Sequence, residues 1–156
     1  QRQMCIRDRP RTPQWLEPAV AVPEDGKSFR LIGGKQAIHT HTQTANSEPL
    51  MAITKQYGLE RVWMNASRAE ELGISDGDTV EVSNEQHTGK VQVKVTQRIN
   101  PDALYMPSHY GCSSKEEKTA YGVGLRQMDY VPFRIEPGYG GICSQEAVVT
   151  VKKVGA

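Results

Sequence analysis

The chain has 156 residues, enough for one ordinary domain with a modest core. Nineteen lysines and arginines against 18 aspartates and glutamates leave a net charge of +1 with the two signs interspersed. That balance excludes the basic footprint of a nucleic-acid binder and the polybasic patch of a membrane-surface protein, and no apolar run approaches the length of a membrane span.

Residues 1–9, QRQMCIRDR, have no apolar stretch and no small-residue cleavage site, so they are not a signal peptide. They resemble a translated assembly scar and are set aside, with the expectation that the natural chain continues upstream. Residues 10–28 carry four prolines and few periodic apolar positions, and read as an extended linker from a missing upstream part. The domain itself is then expected over 29–156.

FRLIGGK (29–35) reads as a short apolar strand stopped by a Gly-Gly turn. HTHTQT (39–44) alternates strictly, which predicts an extended segment with His39, His41 and Gln43 on one face and Thr40, Thr42 and Thr44 on the other. Neither face is apolar, so this strand is not expected to serve the core. SEPLMAITKQYG (47–58) reads as a helix with Ser47 as N-cap, Pro49 in the first turn, Gly58 beyond its end, and Leu50, Ile53 and Tyr57 on one face.

RVWMN (61–65) is a strand, and SRAEELG (67–73) a helix with Ser67 and Glu70 as a capping box, Leu72 inward and Gly73 as its end. An Asp-Gly turn leads into a strand with Val80 and Val82 inward, followed by one with Val91, Val93 and Val95 on a single face. ALYMPSHYG (103–111) is a further strand ending in Ser-His-Tyr-Gly. Residues 113–122 suit a short helix capped by Ser113 and Glu116. The glycine-rich 122–141 reads as an ordered or ligand-held loop, and EAVVTVKKV closes the chain as a buried strand. Many short strands with two helices among them predict a mainly β fold with short helices, a small decorated barrel. No convincing internal repeat is visible.

Three kinds of chemistry suit the polar residues. His39 and His41, two apart on a strand, point the same way and would chelate a metal with His109 as third ligand. Such pairs are common by chance and no acidic or cysteine ligand lies close in sequence, so hydrogen bonding is the stronger reading. Nucleophilic catalysis by Cys112 or Ser108 near His109 has no nucleophile elbow and no orienting carboxylate behind it. The cysteines Cys5, Cys112 and Cys143 have no metal-site spacing and read as free thiols. Anion or heterocycle binding draws on hydroxyls, imidazoles and a helix N-terminus converging around HTHTQTANSEPL, with glycine loops permitting close backbone approach. A solvated edge strand blunted by polar residues explains that segment equally well.

A resemblance breaks the tie. The order LIGGK, HTHTQTANSEPL and VWMNASRAEELGISDGDTVEVSNEQHTGKVQVKVTQRINPDALYMPSHYG resembles the C-terminal molybdopterin-dinucleotide-binding domain of the DMSO-reductase family of molybdenum oxidoreductases. The most specific piece is NASRAEELGISDGDTVEV, which in that family builds part of a double-psi β-barrel. PFRIEPGYGGICSQEAVVTVKKV is similar to the family's closing segment, with Glu136 where an aspartate is usual. RLIGGKQAIHTHTQTAN is closest to catalytic subunits of polysulfide, thiosulfate, tetrathionate or arsenate reductases.

The resemblance implies a double-psi β-barrel that binds molybdopterin guanine dinucleotide, present as a molybdenum bis-dinucleotide centre in the parent. Matched residue by residue, His39, Thr40, His41, Thr42 and Thr44 fall on the first binding strand, with Asn46 at the helix entry. Ser108 and His109 match polar residues after the ALYMP strand. Gln127 lies near a family asparagine, although LRQMDY departs from that motif, and Gln145 precedes the last strand as a further candidate. The family's metal-ligand residue and the cysteine motif of its iron–sulfur cluster belong to an N-terminal part not represented here, so this chain alone is expected to bind and not to catalyse. The parent is expected to reduce a sulfur or other oxyanion substrate in anaerobic respiration. Its partners would be the remaining domains of the catalytic subunit and an iron–sulfur electron-transfer subunit, with no nucleic acid and no direct membrane insertion, in the periplasm or outside the cell. The rival readings are a stand-alone double-psi binding module and a small metal hydrolase built on His39, His41 and His109.

Overall fold

The structure is a computed structural model that describes residues 12, 15, 17–40, 43–136 and 140–155. The alternating apolar stretches form six strands: β1 (Ser28–Gly34), β2 (Val62–Asn65), β3 (Thr79–Ser83), β4 (Thr88–Thr96), β5 (Ala103–Pro107) and β6 (Ala147–Lys153). They close into a barrel in the order β1-β5-β2-β4-β3-β6. Alternation sends one set of side chains inward: Phe29, Leu31, Val62, Met64, Val80 and Val82 are fully buried, and Val93, Leu104 and Met106 join them. At about 25 cal/mol per Å2 of apolar surface removed from water, this interior is the main favourable contribution to folding.

The pairing has an internal symmetry that the residues do not display. β1 runs parallel to β5 and β2 parallel to β4, while β2–β5, β3–β6, β1–β6 and β3–β4 are antiparallel. Exchanging β1 with β4, β2 with β5 and β3 with β6 reproduces the same cyclic order and the same directions. Two interlocked halves related in this way, each carrying one parallel pair, make a double-psi β-barrel.

The halves differ in their connections. β2 leads directly into helix α2 (Ala66–Glu71), whose Ala69 is fully buried against the barrel. The equivalent exit of β5 enters the long 108–146 connection, which holds a short 3-10 helix (Gln127–Tyr130) and no helix over 113–122, where turns replace the expected element. Helix α1 (Glu48–Tyr57) lies between β1 and β2.

Three further expectations need correction. Residues 39–40 and 43–46 are not a strand: Thr44 Oγ1 accepts the Thr40 N–H at 2.9 Å and a turn occupies 43–46. The six-stranded barrel is closed and leaves no edge to receive a seventh strand, so local side-chain-to-backbone bonding prevails. Helix α1 turns a different face inward, burying Met51 and Thr54 while Ile53 and Tyr57 stay exposed. The cap of α2 is Asn65, whose Oδ1 accepts from Ser67 N at 3.0 Å and Ser67 Oγ at 2.8 Å, so Ser67 is held by the cap and does not supply it.

Candidate functional site

A cleft of about 510 Å3 opens where the parallel strands β1 and β5 end side by side. Pairing continues one residue past β5, with Ser108 N donating to Gly34 O at 2.9 Å, and this directs the following residues along the mouth. Ser108, His109, Tyr110, Gly111 and Cys112 form one wall. Gln43, Ala45 and Asn46, from the loop ahead of α1, form a second, and Arg126, Gln127 and Met128 close the third. The third wall is close because Gly111 lacks a side chain: a Cβ there would fall 2.3 Å from the Arg126 amide nitrogen, and its φ of +82° favours glycine.

Among the described residues the lining carries one guanidinium, Arg126, and one carboxylate, Glu117, beside hydroxyls and amides. Arg126 is more than half exposed and 3.7 Å from Asp129, a loose pairing that leaves the cation available to a ligand. Asn46 Oδ1 accepts the Thr119 N–H at 3.0 Å, which joins the second wall to the 113–122 turns.

The structure brings Asn46, Ser108, His109 and Gln127 together in the cleft. Gln127 is buried, with Nε2 donating to Ser144 O at 3.1 Å. His39 and Thr44 lie behind the second wall: His39 Nε2 is 2.9 Å from Thr54 Oγ1 and Nδ1 is 3.2 Å from Thr44 Oγ1. Burial pushes the His39 imidazole below its ordinary pKa, with hydrogen bonding to Thr44 acting the other way. Thr40 is exposed, and His41 and Thr42 lie outside the described residues.

Gln145 is not part of the lining. Its Oε1 accepts the Gly33 N–H at 2.9 Å and its Nε2 donates to Gly33 O at 3.3 Å. The side chain thereby supplies a ladder rung to β1 beyond Ala147–Leu31, where its pairing with β6 ends.

Sequence reasoning missed Tyr110 and Arg126. Tyr110 is buried with its hydroxyl 3.2 Å from Thr54 Oγ1, and burial raises its pKa. Gly111 followed by Gly122 and Gly124 was the signal available for Arg126, because glycines mark places where two backbone segments touch. Among the described residues no group of three His, Cys, Asp or Glu side chains is placed to hold a metal ion. Cys112 Sγ faces Ser114 O at 3.8 Å.

The structure is thus a double-psi β-barrel with a polar cleft beside a parallel strand pair. Over residues 29–129 the chain matches the molydopterin dinucleotide binding domain, and it belongs to that family. It is 26% identical over 111 residues to the thiosulfate reductase molybdopterin-containing subunit PhsA of Salmonella typhimurium, covering 71% of this chain and 14% of that protein. It is also 26% identical over 165 residues to a dimethyl sulfoxide/trimethylamine N-oxide reductase of Cereibacter sphaeroides, covering 96% of this chain and 19% of that protein. The chain thus spans less than a fifth of the length of these relatives. Among solved structures, acetylene hydratase from Pelobacter acetylenicus superposes with a TM-score of 0.65 at 12% identity, over 81% of this chain and 18% of that one. The chain is a molybdopterin-binding domain related to the catalytic subunits of dimethyl sulfoxide and thiosulfate reductases.

Proposed function

We propose that this chain is the C-terminal cofactor-binding part of a molybdenum oxidoreductase catalytic subunit and holds molybdopterin guanine dinucleotide in the cleft beside β1 and β5. The observation that carries the reading is the meeting, at one barrel mouth, of a single available guanidinium with hydroxyl and amide groups from three separate walls. That donor set suits phosphates and a polar heterocycle. Arg126 would face a phosphate and Ser108 would donate a hydroxyl. Asn46 keeps its NH2 group for a ligand while its oxygen is held by Thr119. His41 and Thr42 remain proposed contacts on the strength of the family resemblance.

When bound, the group supplies the metal centre through which electrons pass to or from substrate; the chain supplies binding, orientation and charge. The similarity to a thiosulfate reductase subunit supports a parent that reduces a sulfur or other oxyanion substrate; the iron–sulfur partner and the periplasmic or external location rest on the family resemblance alone. No helix among the described residues is long and apolar enough to cross a membrane.

The test is retention of isolated molybdopterin guanine dinucleotide by the purified chain through gel filtration, read by pterin fluorescence. One equivalent retained, with loss in Arg126→Ala, is the expected result. A folded chain that retains no pterin overturns the reading.

A further inference from the structure

His39 is only 5% exposed, and each of its ring nitrogens meets a threonine hydroxyl inside the protein. Thr54, fully buried on the inner face of α1, passes its hydroxyl on to Tyr110 OH at 3.2 Å. Thr44 Oγ1 also accepts the Thr40 N–H. The imidazole stands edge-on to the Tyr110 ring with centroids 5.6 Å apart, and its centroid is 5.9 Å from that of His109. One side chain therefore joins the turn at 43–46, helix α1 and the residues leaving β5. A neutral imidazole offers one donor and one acceptor, and two hydroxyls can match both.

We propose that His39 is a positioning residue: through Thr44 it clasps the turn at 43–46 onto Thr54 and Tyr110 and so presents Gln43 and Asn46 to the cleft, without itself touching the dinucleotide. Turning either nitrogen toward a ligand would break one of these two hydrogen bonds, the buried one to Thr54 or the part-buried one to Thr44. The clasp should weaken with acid. The titratable groups against the ring are His109 and Tyr110, with Glu60 acting on Tyr110 from beyond it, and neither hydrogen-bond partner of His39 is a carboxylate. A proton gained there finds burial and no counter-charge among its partners, in agreement with the lowered pKa. The part of the proposal that concerns the dinucleotide rests on the proposed function; the clasp itself does not.

The experiment follows amide hydrogen exchange of Thr40 in the full 156-residue chain between pH 7.5 and 5, corrected for intrinsic rates, alongside titration with GDP as a probe for the nucleotide half. In the unmodified chain protection should fall with acid, by at most about tenfold per pH unit for one proton. His39→Gln, which keeps a donor and an acceptor, should hold most of the protection with a flat pH profile and bind GDP within about threefold of the unmodified chain. His39→Phe, which keeps volume but neither hydrogen bond, should lose protection at every pH and bind GDP about tenfold more weakly, the scale of one lost buried hydrogen bond. Protection of Thr40 that is indifferent to pH and to His39→Phe overturns the clasp. Weak GDP binding by both variants with Thr40 still protected overturns it too, because the ring would then contact the ligand. If the unmodified chain does not bind GDP, the proposed function fails, and Thr40 exchange alone decides the clasp.

Discussion

Gln127 lies so closely over Gly33 that a Cβ on the glycine would fall 1.8 Å from its Oε1. The contact seats one cleft wall directly on β1, and the Gln145 amide occupies the same glycine through its backbone N–H and carbonyl. Gly33→Ala should therefore push Gln127 off the strand at a cost of about 1–3 kcal/mol, the usual scale for overpacking a buried contact. Urea unfolding measures the loss. GDP affinity should fall with it, because Gln127 leads directly into Arg126 in the third wall.

Among the described residues Arg126 is the one Lys or Arg in the cleft lining, and its ion pair with Asp129 is long. Arg126→Ala should leave the unfolding midpoint nearly unchanged and weaken GDP binding about tenfold, with a shallower dependence on salt concentration. Calorimetric titration at two ionic strengths checks both parts.

Asn65 caps α2 through its Oδ1 and also donates from Nδ2 to Ile99 O at 2.6 Å. Asn65→Ala should cost about 1–2 kcal/mol by urea unfolding, from the lost cap and the carbonyl left without this donor. GDP binding should not change, because neither Asn65 nor any residue of α2 lines the cleft.

Asp78 accepts from Lys153 at 2.7 Å and from Ser75 N at 2.7 Å, and hydrogen bonding to Lys153 is the first cause of its lowered pKa. The unfolded chain takes up a proton near the ordinary carboxylate value of about 3.9 while the folded chain resists it. Its stabilisation is thus present above that pH and is lost as pH falls through the lower folded value. Asp78→Asn should flatten this part of the acid-unfolding profile, measured by circular dichroism.

The barrel was legible because its strands announce themselves: Val80 and Val82, then Val91 and Val93, alternate with polar residues and are buried as the period requires. Its double-psi order came only from the family resemblance, since strand pairing depends on contacts far apart in sequence, and the closed six-stranded barrel has that order. The cleft was half legible. Asn46, Ser108, His109 and Gln127 were found through a family resemblance, whereas Arg126 was missed because only the fold brings it against Gly111. His39 was expected on a polar strand. Its alternation with Thr40 suggested a strand, but a closed barrel has no edge for one, and the ring turns inward to Thr54 instead. Thr54 was itself invisible to periodicity, because a buried threonine breaks the apolar stripe that identifies an inward face.

We place the dinucleotide at the mouth beside β1 and β5, where the barrel's twofold symmetry is broken, and not at the equivalent end beside α2. Amide chemical-shift mapping of the isotope-labelled chain during titration with molybdopterin guanine dinucleotide tests this most directly. The account predicts saturable shifts concentrated in Ser108–Ser114 and Arg126–Met128. Shifts confined to Ala66–Asp76, or none at saturating ligand, would contradict it.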